Sequence, residues 1–213
     1  MSATFWPTRL TLKFSQGGLK PRSPQPDRPY PTSVTATGGK YFYDDDQETP
    51  DTQVVLYEYD NLTMVFELTL WTPYMKKTSA AFRDTDAYPA WLQYATRIEI
   101  YGSKAMMMMG RQGNGWQVFG ADGAVLAQEP GRQPLAAHLA NFFACVKSRQ
   151  QPNSPILEGH RSTLLCQLGN ISYRLGGRRL AFDGATETII DDAEAQQLAK
   201  RTGRKPYAIP AIV

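Results

Sequence analysis

The stretch from residue 54 to residue 71 constrains the fold more than any other part of this sequence. Two alternating runs, 54–59 and 62–71, flank Asp60-Asn61, a pair that tolerates the positive φ of a tight turn, so the segment reads as a β-hairpin. In the second run Leu62, Met64, Phe66, Leu68 and Leu70 share one side, and Thr63, Val65, Glu67, Thr69 and Trp71 share the other, because successive strand side chains alternate. The first side suits a core. The second is mixed rather than fully polar, which suits a sheet face covered by a partner or by another domain.

More strands follow the same rule. Residues 33–37 alternate Val and Ala with hydroxyl residues, Gly38-Gly39 interrupts, and 41–43 resumes, a strand entering a turn. The loop after it carries Asp44, Asp45, Asp46, Glu48 and Asp51 but lacks the glycine and terminal glutamate of EF-hand spacing, so it reads as a solvated turn. Residues 72–94 read as a long loop bearing Tyr74, Tyr88, Trp91 and Tyr94, and loops of that length inside a domain are often functional. Residues 97–101, 105–109, 116–119 and 124–127 are short strands, the last two turned by Asp122-Gly123. The methionines at 106–109 are strand filling, since consecutive strand residues point to opposite sides and cannot form one ligand face.

Helical spacing takes over late in the chain. Pro134 stands at a first helical position, and Leu135, Leu139, Phe142, Phe143 and Val146 recur along one stripe. A longer helix, from about 156 to 175, carries Leu157, Leu164, Leu165, Leu168, Ile171 and Leu175 on one face and stops at Gly176-Gly177. After a small strand at 179–182, Asp191 with Glu194 three residues on opens a third helix. Strands first and helices later predict an α+β fold: an open, mainly antiparallel sheet with helices packed on one face.

The chain divides into a basic, proline-rich leader, residues 1–30, expected to be a disordered tail of low order, and a single domain over 31–213. The net charge of +3 sits in the leader, since residues 1–31 carry +4 and the rest −1, so the folded part lacks the basic stripe that nucleic acid requires. No run is long enough for a membrane span or for the apolar core of a signal peptide. Cys145 and Cys166 fall among apolar helical residues, with no Cys/His zinc spacing around them, which suits a reduced, cytoplasmic setting without a metal.

Chemical motifs are scarce. Gly110, Gly113 and Gly115 lie between two strands rather than opening a helix, so they have no helix N-terminus with which to hold a pyrophosphate. A P-loop, a G-x-S-x-G elbow and an H-E-x-x-H pair are all absent from the sequence.

Several runs in order nevertheless resemble one family. They are Tyr30 to Lys40, Thr49-Pro50-Asp51-Thr52, Ile98 to Ala105, His138 to Phe143, Glu158-Gly159-His160-Arg161-Ser162, Leu164 to Gly176, and Arg204-Lys205-Pro206-Tyr207. Together they are similar to the carboxyl-terminal domain in the bacterial branch of the Gfo/Idh/MocA oxidoreductases, from about residue 30 to the end.

That resemblance implies a substrate-side and oligomerisation half, to be completed by a Rossmann domain that holds NAD or NADP in full-length relatives. The catalytic lysine and the aspartate–histidine pair of such relatives lie before the matching region, so no catalytic or cofactor-binding residue is expected in this chain. A truncated or frame-shifted origin is one expectation. The implied substrates are sugars or polyols, and the implied partners are a second copy, a full-length relative or a separate Rossmann unit.

Five residues are candidates for substrate contact by the same resemblance: Trp71, Tyr74, Arg97, His160 and Arg161. Trp71 and Tyr74 would stack on a sugar-like ring, or else serve as packing and as a surface aromatic. His160 would position a substrate hydroxyl, or brace a neighbouring domain. Gln167 departs from the histidine usual in the family, which removes any role tied to that position.

Overall fold

The computed structural model describes residues 9–16, 30–60, 62–72, 75, 85–110, 114–200, 203, 204 and 206. Its strands are β1 (Arg9–Gln16), β2 (Ser33–Gly39), β3 (Thr52–Glu58), β4 (Leu62–Thr69), β5 (Thr96–Tyr101), β6 (Met106–Gly110), β7 (Trp116–Phe119), β8 (Val125–Glu129), β9 (Leu180–Asp183) and β10 (Thr188–Ile189). Three helices accompany them: α1 (Leu135–Ser148), α2 (Ile156–Arg174) and α3 (Ala193–Leu198). The hairpin expected at 54–71 is β3–β4, paired antiparallel from Thr52↔Thr69 to Glu58↔Thr63.

The strands form one sheet in the order β10-β9-β2-β3-β4-β1-β5-β6-β7-β8. Among the described residues every strand pairing is antiparallel except β1 with β5. The architecture is therefore α+β. One strand, β1, lies within the leader; it stands between β4 and β5 and joins the two halves of the sheet. Its sequence, RLTLKFSQ, has period-two alternation that the surrounding prolines obscure.

Register assigns two faces. Val55, Phe66, Ile98, Met109 and Trp116 lie in one row across the sheet, joined through the backbone of β1, and Tyr57, Met64, Ile100, Met107 and Val118 lie in the next. The side chains of both rows belong to one face. At its β2–β3 end this face is covered by α2, whose Leu168 and Ile171 pack with Val34, Ala36, Val55 and Tyr57. Burying each such aliphatic side chain contributes about 1.5–3 kcal/mol.

Gly169 brings α2 close to the sheet, since a methyl added there would lie 3.1 Å from both Val55 methyl carbons. Ser172, fully buried, accepts the Ala36 N–H at 2.9 Å and donates to the Arg178 carbonyl at 2.7 Å, so this helix–strand seam is also hydrogen-bonded. Gly176 and Gly177 (φ 72° and 84°) end the helix as its glycine stop requires. The third helix opens on Asp192 rather than Asp191, and the Asp192 side chain accepts the Ala195 N–H.

The other half is built differently. Helix α1 forms where expected but buries none of its residues, and Leu135, Phe142 and Phe143 are at least half exposed. Residues 41–43 do not extend β2. Their N–H groups turn instead to the Asp51 carboxylate, which takes them out of any ladder. Cys166 is exposed on α2 rather than packed as a small hydrophobe, and no described helix is long and apolar enough to cross a membrane.

Candidate functional site

Asp51 organises one end of the sheet. It is 2% exposed, and its Oδ2 accepts three consecutive N–H groups, from Tyr41, Phe42 and Tyr43, at 2.8–3.0 Å, while Oδ1 accepts the Thr52 hydroxyl at 2.9 Å. Burial pushes its carboxyl upward, but these four donors outweigh burial and hold it below the usual carboxylate range. Thr52 Oγ1 in turn accepts Trp71 Nε1 at 2.8 Å, and the Trp71 ring stacks on Phe42 at 5.4 Å and 13°. Trp71 is thus fixed at the rim of the sheet with one face already occupied. Tyr74 lies outside the described residues.

Arg97 sits on the sheet face opposite α2, beneath the short 3-10 turn Trp91–Gln93. It is 7% exposed. Its Nε meets Glu99 Oε1 at 2.5 Å, and its Nη1 donates to the Trp91 and Tyr94 carbonyls at 3.1 and 3.0 Å. The Tyr101 hydroxyl donates to Glu99 Oε2 at 2.6 Å, which holds that proton and pushes the phenol up to about 12. Trp91 Nε1 closes the network on Gln117 Oε1 at 2.7 Å. Here the charges hold a turn in place.

The open end of α2 carries the third group. His160 Nε2 lies 2.9 and 2.8 Å from the two Glu187 oxygens, and the Tyr30 hydroxyl donates to Glu187 Oε1 at 2.7 Å. Those two hydrogen bonds, Tyr30's first, hold the Glu187 carboxyl below its ordinary value, while the same carboxylate raises the Tyr30 phenol. Arg161 Nη1 donates to Glu158 at 2.6 Å, its guanidinium carbon lies 5.9 Å from the Tyr30 ring centre, and its Nε has no hydrogen-bond partner among the described residues. Glu187 occupies the left-handed region at φ 51° in the β9–β10 turn. Local backbone strain is thus placed beside this corner.

The five sequence candidates therefore do not converge. Trp71 meets the Thr52 end of β3, while Tyr30 precedes the strand paired with the Glu58 end, so roughly 20 Å of strand separates Trp71 from His160 and Arg161. The structure brings His160 and Arg161 together and adds Tyr30, Glu158 and Glu187. Tyr30 and Glu158 lie in family-like runs, but Glu187 carries no local signal, because its partners are 27 and 157 residues away.

The corner is polar, half-exposed and rich in hydroxyl and carboxylate partners, so it suits hydrogen bonding to a polyhydroxylated molecule. Among the described residues nothing fits a nicotinamide dinucleotide. Gly110 ends β6 and Gly115 precedes β7, neither opening a described helix, and the parallel pair β1–β5 is not the strand–helix–strand crossover that cradles a pyrophosphate. No group of three or more described His, Cys, Asp or Glu side chains is arranged to hold a metal ion.

Comparison with known proteins places the chain. Residues 80–209 match the oxidoreductase family C-terminal alpha/beta domain of Gfo/Idh/MocA type. No curated protein matches at a significant level. Among solved structures, an Agrobacterium radiobacter oxidoreductase in complex with NAD+, L-tartaric acid and magnesium is 15% identical, with TM-score 0.48, covering 85% of this chain and 58% of the other. A Klebsiella pneumoniae protein provisionally assigned as an oxidoreductase is 12% identical, with TM-score 0.47 and coverages of 80% and 48%. The WlbA dehydrogenase of Bordetella pertussis, in complex with NADH and UDP-GlcNAcA, is 17% identical, with TM-score 0.39 and coverages of 72% and 39%. The chain spans about half the length of these structures. With more than half of its residues matched, it belongs to the Gfo/Idh/MocA oxidoreductase family, through that family's C-terminal alpha/beta domain.

Proposed function

We propose that this chain supplies the substrate-side wall of a nicotinamide-dependent oxidoreductase of sugars or polyols and does not transfer hydride alone. The family match over residues 80–209 carries this reading. In it, His160 and Arg161 meet substrate hydroxyl or carboxylate groups, and Glu187 and Tyr30 orient the imidazole and the guanidinium. NAD or NADP is held by another folded unit, so no step of hydride transfer is assigned to these residues. Trp71, Tyr74 and Arg97 are proposed as the more distant part of the same wall, with Arg97 acting through the Trp91 turn it holds.

The test is a pair of titrations on the purified chain. NADH fluorescence is expected to show no saturable binding, and saturable binding overturns the reading. A panel of hexuronates, hexitols and nucleotide sugars is expected to include at least one ligand whose affinity falls about tenfold in His160→Gln, the loss of one good polar contact. Uniform indifference to that substitution removes the corner from the substrate site.

A second reading, a non-catalytic binding or scaffold module that dimerises through its sheet face or pairs there with a full-length relative, is favoured by apolar sheet residues left exposed, such as Ile100 on β5. Light scattering on the purified chain tests it, and a monomer at high concentration counts against it.

A further inference from the structure

At the corner built by His160, Arg161 and Glu187, the cation is already committed. Arg161 Nη1 donates to Glu158 at 2.6 Å, and Nε is enclosed, with no hydrogen-bond partner among the described residues. A guanidinium holds a carboxylate through two parallel N–H bonds, from Nη1 with Nη2 or from Nε with Nη2. Glu158 takes one donor of the first fork, and burial removes one donor of the second. The dipole of α2, which would otherwise draw an anion to its open end, is met by Glu158 in the first turn.

The acceptors are not used up in the same way. Facing a carboxylate, His160 Nε2 carries the proton, and Nδ1 of the neutral ring is then an acceptor. Glu187 receives that N–H and the Tyr30 hydroxyl, while a carboxylate offers roughly four acceptor positions. Glu158 meets Arg161 with Oε1 and has a second oxygen, on a side chain that is 59% exposed. Held below its ordinary value, the Glu187 carboxyl stays ionised at neutral pH. Glu158 and Glu187 thus stand against the single guanidinium of Arg161. Asp183, whose oxygens accept the Ala185 N–H and the Thr186 hydroxyl, adds a further carboxylate at the start of the turn that carries Glu187.

We infer that the substrate group held here is a proton donor, a hydroxyl or an ammonium and not a carboxylate or phosphate, so that the substrate class is a neutral polyol or an amino sugar. This preference rests on the corner being the substrate site, as proposed above, and narrows the groups met there to those that donate. An ammonium brings three N–H donors and a charge opposite to that of Glu187, whereas a carboxylate brings acceptors alone and stands beside like charges. Exposed charges are screened beyond roughly 8 Å at physiological ionic strength, so the discrimination acts at short range and is greatest at low salt.

The experiment titrates the full chain, by calorimetry and ligand-observed NMR, with matched sets of an amino sugar, its neutral hexose and alditol, and its uronate, in the gluco, galacto and manno configurations. In the configuration that binds, affinity is expected to fall from amino sugar to neutral sugar to uronate by about twofold to fivefold per step at low salt, the range of an exposed charge pair. Added salt should narrow each step. Glu187→Gln is expected to remove the advantage of the amino sugar over the neutral one. Glu158→Gln frees Arg161 and is expected to raise the uronate-to-neutral affinity ratio by about fivefold. Ratios are read between ligands within each variant, so a general loss of affinity does not mimic the result. Glu158 lies in the exposed first turn of α2, which provides a second variant should Glu187→Gln, at φ 51°, fail to fold. A uronate that binds the parent chain most tightly, or an order that neither substitution changes, overturns the preference, and the corner remains a site if His160→Gln still weakens binding. Binding of none of these ligands, or binding indifferent to His160→Gln, overturns the preference together with the substrate reading.

Discussion

Strands β3 and β5 have the same alternating texture and opposite outcomes. On β3, Val55 and Tyr57 are buried under α2 while Val54, on the other face, is 37% exposed. On β5 it is Arg97 and Glu99 that are buried, at 7% and 3%, and Ile100, on the α2 face, that is 37% exposed. Hydropathy alternation says only that two faces differ. Which face leaves water depends on what packs over it: a helix on one side at β3, and the Trp91 turn on the other side at β5.

The sharpest way to break this contrast is to remove what joins the two halves. Deleting residues 1–29 takes away β1, and the β5–β8 half is then expected to lose its hydrogen-exchange protection while β2, β3 and α2 keep theirs. A single cooperative transition with full protection in both halves would show that β1 is dispensable.

Next in size is the buried ion pair. Glu99→Leu strands the Arg97 guanidinium with no carboxylate, and a loss of about 3–5 kcal/mol is expected in urea unfolding. The double change with Arg97→Met should recover most of that loss, because two apolar side chains need no pairing. On the α2 side, Leu168→Ala at 1% exposure should cost about 2–5 kcal/mol, whereas Leu139→Ala on exposed α1 should change the stability of the single chain by less than about 0.5 kcal/mol.

Asp51 gives a pH-dependent version of the same test. Its carboxyl is held below the unfolded value, so the stability it contributes is present above the ordinary carboxylate range and is lost as pH falls through the lowered folded-state value. Asp51→Asn is expected to cost about 1–3 kcal/mol at neutral pH and to flatten that acid limb. An unchanged acid limb would show that the 41–43 turn stands without its carboxylate.

Much of this was legible beforehand. The β3–β4 hairpin, the short strands from β5 to β8 and all three helices follow from period and turn chemistry, because those signals come from residues a few positions apart. The resemblance to the oxidoreductase family rested on separate short runs, and the match at 80–209 agrees with them. Less was legible of the site. His160 and Arg161 stand out in their run, but Glu187, which holds His160, does not; Trp71, offered as substrate contact or packing, and Arg97, offered as substrate contact, have polar groups bonded within the fold.

By itself the sequence determined which residues alternate, where helices begin and stop, and which family the chain belongs to, since each depends on local order. Only the tertiary structure decided that β1 enters the sheet, that Asp51 gathers three backbone donors, that a charged pair lies buried beneath the Trp91 turn, and that α1 keeps its apolar stripe in water. The reason is distance along the chain. Burial and pairing are set by groups tens to more than a hundred residues apart, as Tyr30 and Glu187 are, and a local pattern carries no record of what will come to lie across from it.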